Sequence, residues 1–285
     1  MKFIILPPLS LILMCFFAFT TTRCSDENPS ALPDSIVAID SALVIPGWTL
    51  VWNDEFNGTS IDVKKWHYEV NGDGGGNNEK QYYTDRVENS YVDTGTLIIV
   101  AREESYFGQK YTSARIRSKY LGDWTYGRFE IRAMLPWGVG TWPAIWMLPT
   151  DKEYGDWPSS GEIDIMEHVG YDPNVIHGST HSKKYYFVNG TQKSGTVRIQ
   201  HASYTFHTYA IEWYADSINF FVDGSKYFTS RNERSGWEAW PFDKRFHFIL
   251  NIAVGGNWGG LKGIDNTIFP QKMVIDYVRV YKKKP

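Results

Sequence analysis

Glu162, Asp164 and Glu167 crowd into one short segment, Gly161-Glu162-Ile163-Asp164-Ile165-Met166-Glu167-His168. In an extended strand alternate side chains share a face, so Glu162 and Asp164 point one way while Ile163 and Ile165 pack the other way. Strict alternation would send Glu167 inward with the isoleucines, where an unpaired carboxylate is costly. One extra residue near Ile165-Met166, a β-bulge, returns Glu167 to the acidic face. At ~3.3 Å per step the outer Cα atoms then stand roughly 13 Å apart, and each glutamate side chain reaches roughly 4 Å. Two glutamates leaning together bring their carboxyls within roughly 5 Å. That separation suits one carboxylate attacking a sugar while the other protonates the leaving oxygen; an attacking water would need about 6.5–9.5 Å. Crowded like charges also divide the labour, because one carboxyl keeps its proton while another stays ionised. Asp164, between the two, can hydrogen-bond Glu162. An acidic surface stripe and a calcium site are the other readings this spacing leaves open.

The elements that must position these acids are strands. Tyr126 to Met134 alternates strictly, with Phe129, Ile131 and Ala133 on one side and Arg128, Glu130 and Arg132 on the other. Thr96 to Ala101, Thr208 to Trp213, Phe246 to Val254 and Met273 to Tyr281 are further strand-like runs, and Phe220 to Phe228 reads as a hairpin turning on Asp223-Gly224. No periodic helix and no internal repeat stands out. Many short alternating strands in one body predict an all-β fold, a sandwich or jelly roll of two stacked antiparallel sheets.

Composition narrows the partners. Of 285 residues, 42% are apolar and 21% charged, enough for a sizeable core and against a disordered chain. A formal charge of −3 excludes a nucleic-acid backbone as the natural partner, and 12 Trp with 18 Tyr suit a neutral ligand that stacks on rings. Residues 1–24 carry Lys2 and then an apolar run from Phe3 to Phe19, the pattern of a secretory signal peptide; Pro7-Pro8 weakens a membrane-spanning helix. Cys24, followed by Ser25-Asp26-Glu27-Asn28, resembles a bacterial lipoprotein signal, although Arg23 departs from the small residues usual before that cysteine. The expected location is the outer membrane or cell surface through a lipid on Cys24, otherwise the periplasm or the medium. Residues 25–46 read as a flexible tether and 47–285 as one catalytic domain, expected to act as a monomer. That body contains no cysteine, so a disulfide framework and cysteine-based metal sites are excluded from it.

At the acidic segment the sequence resembles glycoside hydrolase family 16, whose motif Glu-x-Asp-x-x-Glu it matches in full. The likeness runs from residue 47 to 283 through Trp52-Asn53-Asp54-Glu55-Phe56, Asn77-Asn78-Glu79-Lys80-Gln81-Tyr82-Tyr83-Thr84, Gly127-Arg128-Phe129-Glu130-Ile131-Arg132, Gly140-Thr141-Trp142-Pro143-Ala144-Ile145-Trp146 and Gly255-Gly256-Asn257-Trp258-Gly259-Gly260. The resemblance implies a concanavalin-like jelly roll and a retaining mechanism, with Glu162 as nucleophile, Asp164 as its assistant and Glu167 as acid/base. The extra Met resembles the bulged subgroup of laminarinases, agarases and carrageenases; the Asn-Asn-Glu loop and Ile-Met-Glu-His look most like endo-β-1,3-glucanases. A β-glucan is the implied partner, with other family activities or a non-catalytic glucan-binding lectin as alternatives.

Against that background Trp142 and Trp146, alternating toward one face before the acids, read as sugar platforms, and Trp258 as platform or loop anchor. Asn78 and Glu79, after the run Gly72-Asp73-Gly74-Gly75-Gly76, are placed to bond hydroxyls. His181 resembles a histidine lining the cleft, His177 suits cleft or core, and Arg115 suits cleft or a plain salt bridge. No cofactor is needed for the chemistry. The resemblance implies one structural Ca2+ at Glu55, a backbone carbonyl near Gly95, and Asp276, oxygen donors that suit a hard cation.

Overall fold

The computed structural model describes residues 43–285; the leader, Cys15, Cys24 and most of the 25–46 tether lie outside the described residues. Two sheets stack face to face, and no α-helix occurs among the described residues. The first sheet runs β16 (Ser225–Arg231), β15 (Ser217–Val222), β14 (His207–Trp213), β9 (Gly127–Met134), β18 (Gln271–Lys283), β5 (Thr96–Tyr106), β6 (Gln109–Ser113) and β3 (Gln81–Tyr83). To it β1 (Trp48–Asp54) adds beside β18 and β4 (Ser90–Asp93) beside β5. The second runs β13 (Lys193–Arg198), β12 (Val175–His181), β11 (Glu162–Glu167), β10 (Thr141–Pro149), β17 (Phe246–Val254), β7 (Arg115–Arg117) and β2 (His67–Tyr68), with β8 (Asp123–Trp124) beside β17. The all-β jelly roll expected from alternation is the fold observed. One pair departs from antiparallel order: β3 lies parallel to β6 at the edge of the first sheet.

Period-two patterning builds the core. Phe129, Ile131 and Ala133 of β9 are fully buried between the sheets with Ile163 and Ile165 of β11 and Leu250, Ile252 and Val254 of β17. The opposite face of β9 carries charge: Arg128 bridges Glu130 at 2.6 Å and Glu212 at 3.0 Å. The hairpin at Asp223-Gly224 forms as expected, both residues taking positive φ (49° and 75°).

The bulge is where alternation placed it. Between Asp164 and Glu167, β11 spends three residue steps while β12 spends two, from Ser179 to His177; against β10, Asp164 opposes Trp146 and Met166 opposes Ile145, leaving Ile165 unmatched. Ile165 and Met166 are both buried. Glu162, Asp164 and Glu167 therefore share the face turned away from the core, opposite His181, Ser179 and His177 in turn.

Behind this strand the chain leaves no spare volume. A Cβ on Gly170 would lie 1.8 Å from the Gly138 carbonyl oxygen and 2.5 Å from Thr141 Oγ1. Gly170→Ala is expected to cost about 3 kcal/mol, read as a melting temperature lower by about 6–12 °C; a drop under 2 °C would show that the backbone here yields.

Candidate active site

The three acids lie across the middle of the second sheet, and each has its own hydrogen-bond donor. Trp157, in the loop between β10 and β11, donates its indole N–H to Glu162 Oε2 at 2.7 Å. Trp142 donates to Glu167 Oε1 at 3.0 Å. Ser179 donates to Asp164 Oδ2 at 2.6 Å, and His181 Nε2 lies 3.2 Å from the same oxygen. Asp164 is buried and in hydrogen-bond contact with Glu162, whereas the glutamates are partly open to solvent.

Electrostatics follow from this crowding. Burial first, then the charge of Asp164 and its hydrogen bond, push the Glu162 carboxyl well above the usual glutamate range. Glu167 is pushed up by burial, then by Asp164 and Glu162. His181 is raised: burial opposes its charge, but the hydrogen bond and charge of Asp164 outweigh it. Two carboxyls in contact cannot both be ionised cheaply, and the cost falls on Glu162, whose protonated form is favoured. Glu162, Asp164 and His181 are also the one group of three acidic or imidazole side chains, among the described residues, gathered within 4.8 Å. Ser179 and His181 already occupy Asp164 Oδ2.

Each end of the cleft has its own aromatic wall. At the Glu167 end Trp142 packs edge-on to Trp258 (5.5 Å, 78°), and Trp258 packs edge-on to His177 (4.8 Å, 90°). His177 thus faces the cleft and is not a core residue. Trp142 is only 9% exposed, so it holds the acid in place while Trp258 covers it. At the Glu162 end stand His181, Trp157 and Phe187, the last two 42% and 43% exposed. Sequence reasoning missed Trp157 and Phe187, because both sit on loops without periodicity; the exposed aromatic so close before Glu162 was the available signal.

Trp146, half-buried, bonds Asn251 Oδ1 at 2.7 Å, and the Arg115 guanidinium lies 5.5 Å from its ring. Beneath lies a buried network that corrects two expectations. Glu79 is 5% exposed; its carboxylate accepts from Gln81 (2.7 Å), Tyr83 OH (3.0 Å) and Arg115 (3.4 Å), leaving it closed to a sugar. Arg115 is 7% exposed and also pairs with Glu69 at 3.2 Å, so it props the floor rather than lining the cleft. Gly75 packs over Glu79, where a Cβ would lie 2.5 Å from the carboxylate; the glycine run is a cover for that charge. Asn78 is exposed and donates to Asn257 Oδ1 at 2.8 Å, tying this loop to the one that carries Trp258.

Two of the expected calcium donors, Glu55 and Asp276, already have side-chain partners. Arg279 grips both Glu55 oxygens, at 2.9 and 2.7 Å, and Asn53 adds a bond at 3.0 Å. Asp276 pairs with Arg132. A hard cation bound through these two carboxylates would compete with the Arg279 and Arg132 guanidinium groups.

Comparison with known proteins agrees with this geometry. The family model described as glycosyl hydrolases family 16 matches residues 76–279. A β-glucanase of Rhodothermus marinus is 53% identical over 257 residues, covering 87% of this chain and 90% of the relative. The glucan endo-1,3-β-glucosidase A1 of Niallia circulans is 40% identical over 267 residues, covering 84% of this chain but 39% of that longer protein. The solved laminarinase from Rhodothermus marinus superposes with a TM-score of 0.82 at 54% identity, covering 84% of this chain and 98% of that one.

A raised carboxyl is a stability statement. The folded state holds a proton on Glu167 more tightly than the unfolded chain does, so the stability it contributes is present below the unfolded pKa and lost as pH rises through the raised one. Glu167→Gln keeps the shape and an oxygen for Trp142 while removing the charge. Its melting temperature at pH 7 is expected to exceed the native protein's, by about 2–4 °C per kcal/mol relieved. The gain should vanish below the ordinary glutamate value of 4.5; equal melting curves at pH 7 would count against a strained charge.

Proposed function

The chain belongs to family 16 of the glycosyl hydrolases, and from that premise we infer that it is a retaining endo-hydrolase of β-1,3-glucosidic bonds in laminarin-type glucans. The observation that carries this is the bulge in β11, which sets three carboxylates on one face, each with its own donor.

Glu162, as carboxylate, attacks the anomeric carbon, aimed by the Trp157 N–H and by its contact with Asp164. Glu167 gives its proton to the departing glycosidic oxygen as that bond breaks. The product of this half is a glycosyl ester on Glu162 and a released sugar hydroxyl. Forming the ester removes a negative charge that had helped to raise Glu167, so the carboxylate left behind is now a stable base. It takes a proton from water, the water oxygen attacks the anomeric carbon, and Glu162 leaves as carboxylate. Two displacements at one carbon restore the β configuration. Indole donors suit both halves, because they orient the glutamates without neutralising them. The presence of all three acids favours an enzyme over a lectin on the same scaffold.

Glu162→Ala and Glu167→Ala are each expected to lose about a thousandfold or more in kcat on laminarin while keeping the fold, checked by reducing-end release. Proton NMR of a fresh digest should show the β anomer first; an α product would overturn the double displacement. The kcat/KM profile should be bell-shaped, with both limbs belonging to the coupled carboxyls, and Glu167→Gln should abolish the basic limb. Export with a lipid on Cys24 is proposed from the leader alone: Cys24→Ala should move the protein from the membrane fraction to the soluble one, and an unchanged distribution would remove the anchor.

A further inference from the structure

The nucleophile's donor is itself poorly held. Trp157 projects from a surface loop, 42% exposed, and its N–H reaches Glu162 at 2.7 Å. A large turn of χ1 toward solvent would carry the N–H of so exposed an indole away from Glu162. Three rings surround it: Phe187 at 5.6 Å and 42°, Tyr186 at 5.8 Å and 89°, and His181 at 6.3 Å and 45°. Phe187 touches both partners, packing edge-on to His181 at 6.1 Å as well.

Phe187 adds little to the fold. It opens the short turn Phe187–Asn189, is 43% exposed, and has exposed Val188 beside it. Main-chain bonds fix that turn without the phenyl ring: Asn189 and Thr191 donate to the Tyr186 carbonyl at 3.2 and 3.3 Å, and Gly190 donates to the Phe187 carbonyl at 2.8 Å. A half-exposed phenyl whose loop keeps its shape without it, leaning on a half-exposed indole, has its main consequence at the indole.

We propose that Phe187 is a positioning residue for the reaction: its ring confines Trp157 to the orientation from which the indole N–H meets Glu162. This rests on the reading of Glu162 as nucleophile. The groups facing Glu162 are Asp164 and Glu167 on its own strand, His181 from β12, Arg115 from β7, and the Trp157 N–H from the loop. Of these, the indole is the one that both orients the carboxylate and favours its charged form from the solvent side. Loosening it leaves the other groups in place and makes the carboxylate harder to ionise.

The test is the pH profile of kcat/KM on laminarin for Phe187→Ala, Phe187→Leu, Phe187→Tyr, Trp157→Phe and the double variant Trp157→Phe/Phe187→Ala, with melting curves for each. For Phe187→Ala the expected result is kcat lower by about tenfold, an acidic limb shifted upward, an unmoved basic limb and a melting temperature within about 2 °C of native. Phe187→Tyr should restore the limb and Phe187→Leu should not. In the double variant the loss of Phe187 should add nothing to Trp157→Phe. An acidic limb unmoved in both Phe187→Ala and Phe187→Leu, or additive effects in the double variant, overturns the proposal. Activity retained by Glu162→Gln would instead overturn the assignment of the nucleophile, a separate outcome.

Discussion

Mutual repulsion among three carboxylates on one strand face is the constraint around which the cleft is arranged. Left in water the acids would all ionise; left unpaired in a dry cleft they would all stay protonated. The structure takes neither course. The two glutamates receive neutral indole donors, which fix direction without supplying charge, while Asp164 in the middle receives a hydroxyl and an imidazole. An arginine in place of either tryptophan would pin its glutamate as an anion, and a pair that is always ionised has no acid to offer a leaving group.

Positive charge is nevertheless present one layer down. Arg115 is shared among Glu79, Glu69 and the Tyr83 hydroxyl, and Tyr83 also accepts from Asn251, whose carbonyl receives the Trp146 indole. This chain of bonds links β3, β7, β17 and β10 across the joint between the two sheets. It explains why Glu79 had to be buried beside Arg115: without that guanidinium it would be an uncompensated ion in the interior. The cation still lowers Glu162 slightly from a distance, but its charge is mostly answered before it reaches the cleft.

What could be read from the sequence was what depends on neighbours along the chain. Alternation in Tyr126 to Met134 assigned the faces of β9 correctly, and the same rule required the bulge at Ile165-Met166, because Glu167 had nowhere else to go. What could not be read depends on partners far apart in the chain. Glu79 looked like a sugar ligand beside flexible glycines; only folding brings Arg115 to it and closes Gly75 over both. Nor does any local pattern announce that Arg279, more than two hundred residues later, grips both oxygens of Glu55. Trp157 and Phe187 come from loops on different strand connections, and no local pattern announces that two rings will meet over a third residue.

The bulge makes the length of this segment less critical than its order. Losing the single codon for Met166 would leave Glu-Ile-Asp-Ile-Glu, in which plain alternation sends the same three acids to the same side with similar reach. Losing Ile163 instead would put Glu162 and its neighbouring Asp on opposite sides. The extra residue is thus absorbed on the buried side of the strand, between Ile165 and Met166, and leaves the acidic side as a regular strand would have it.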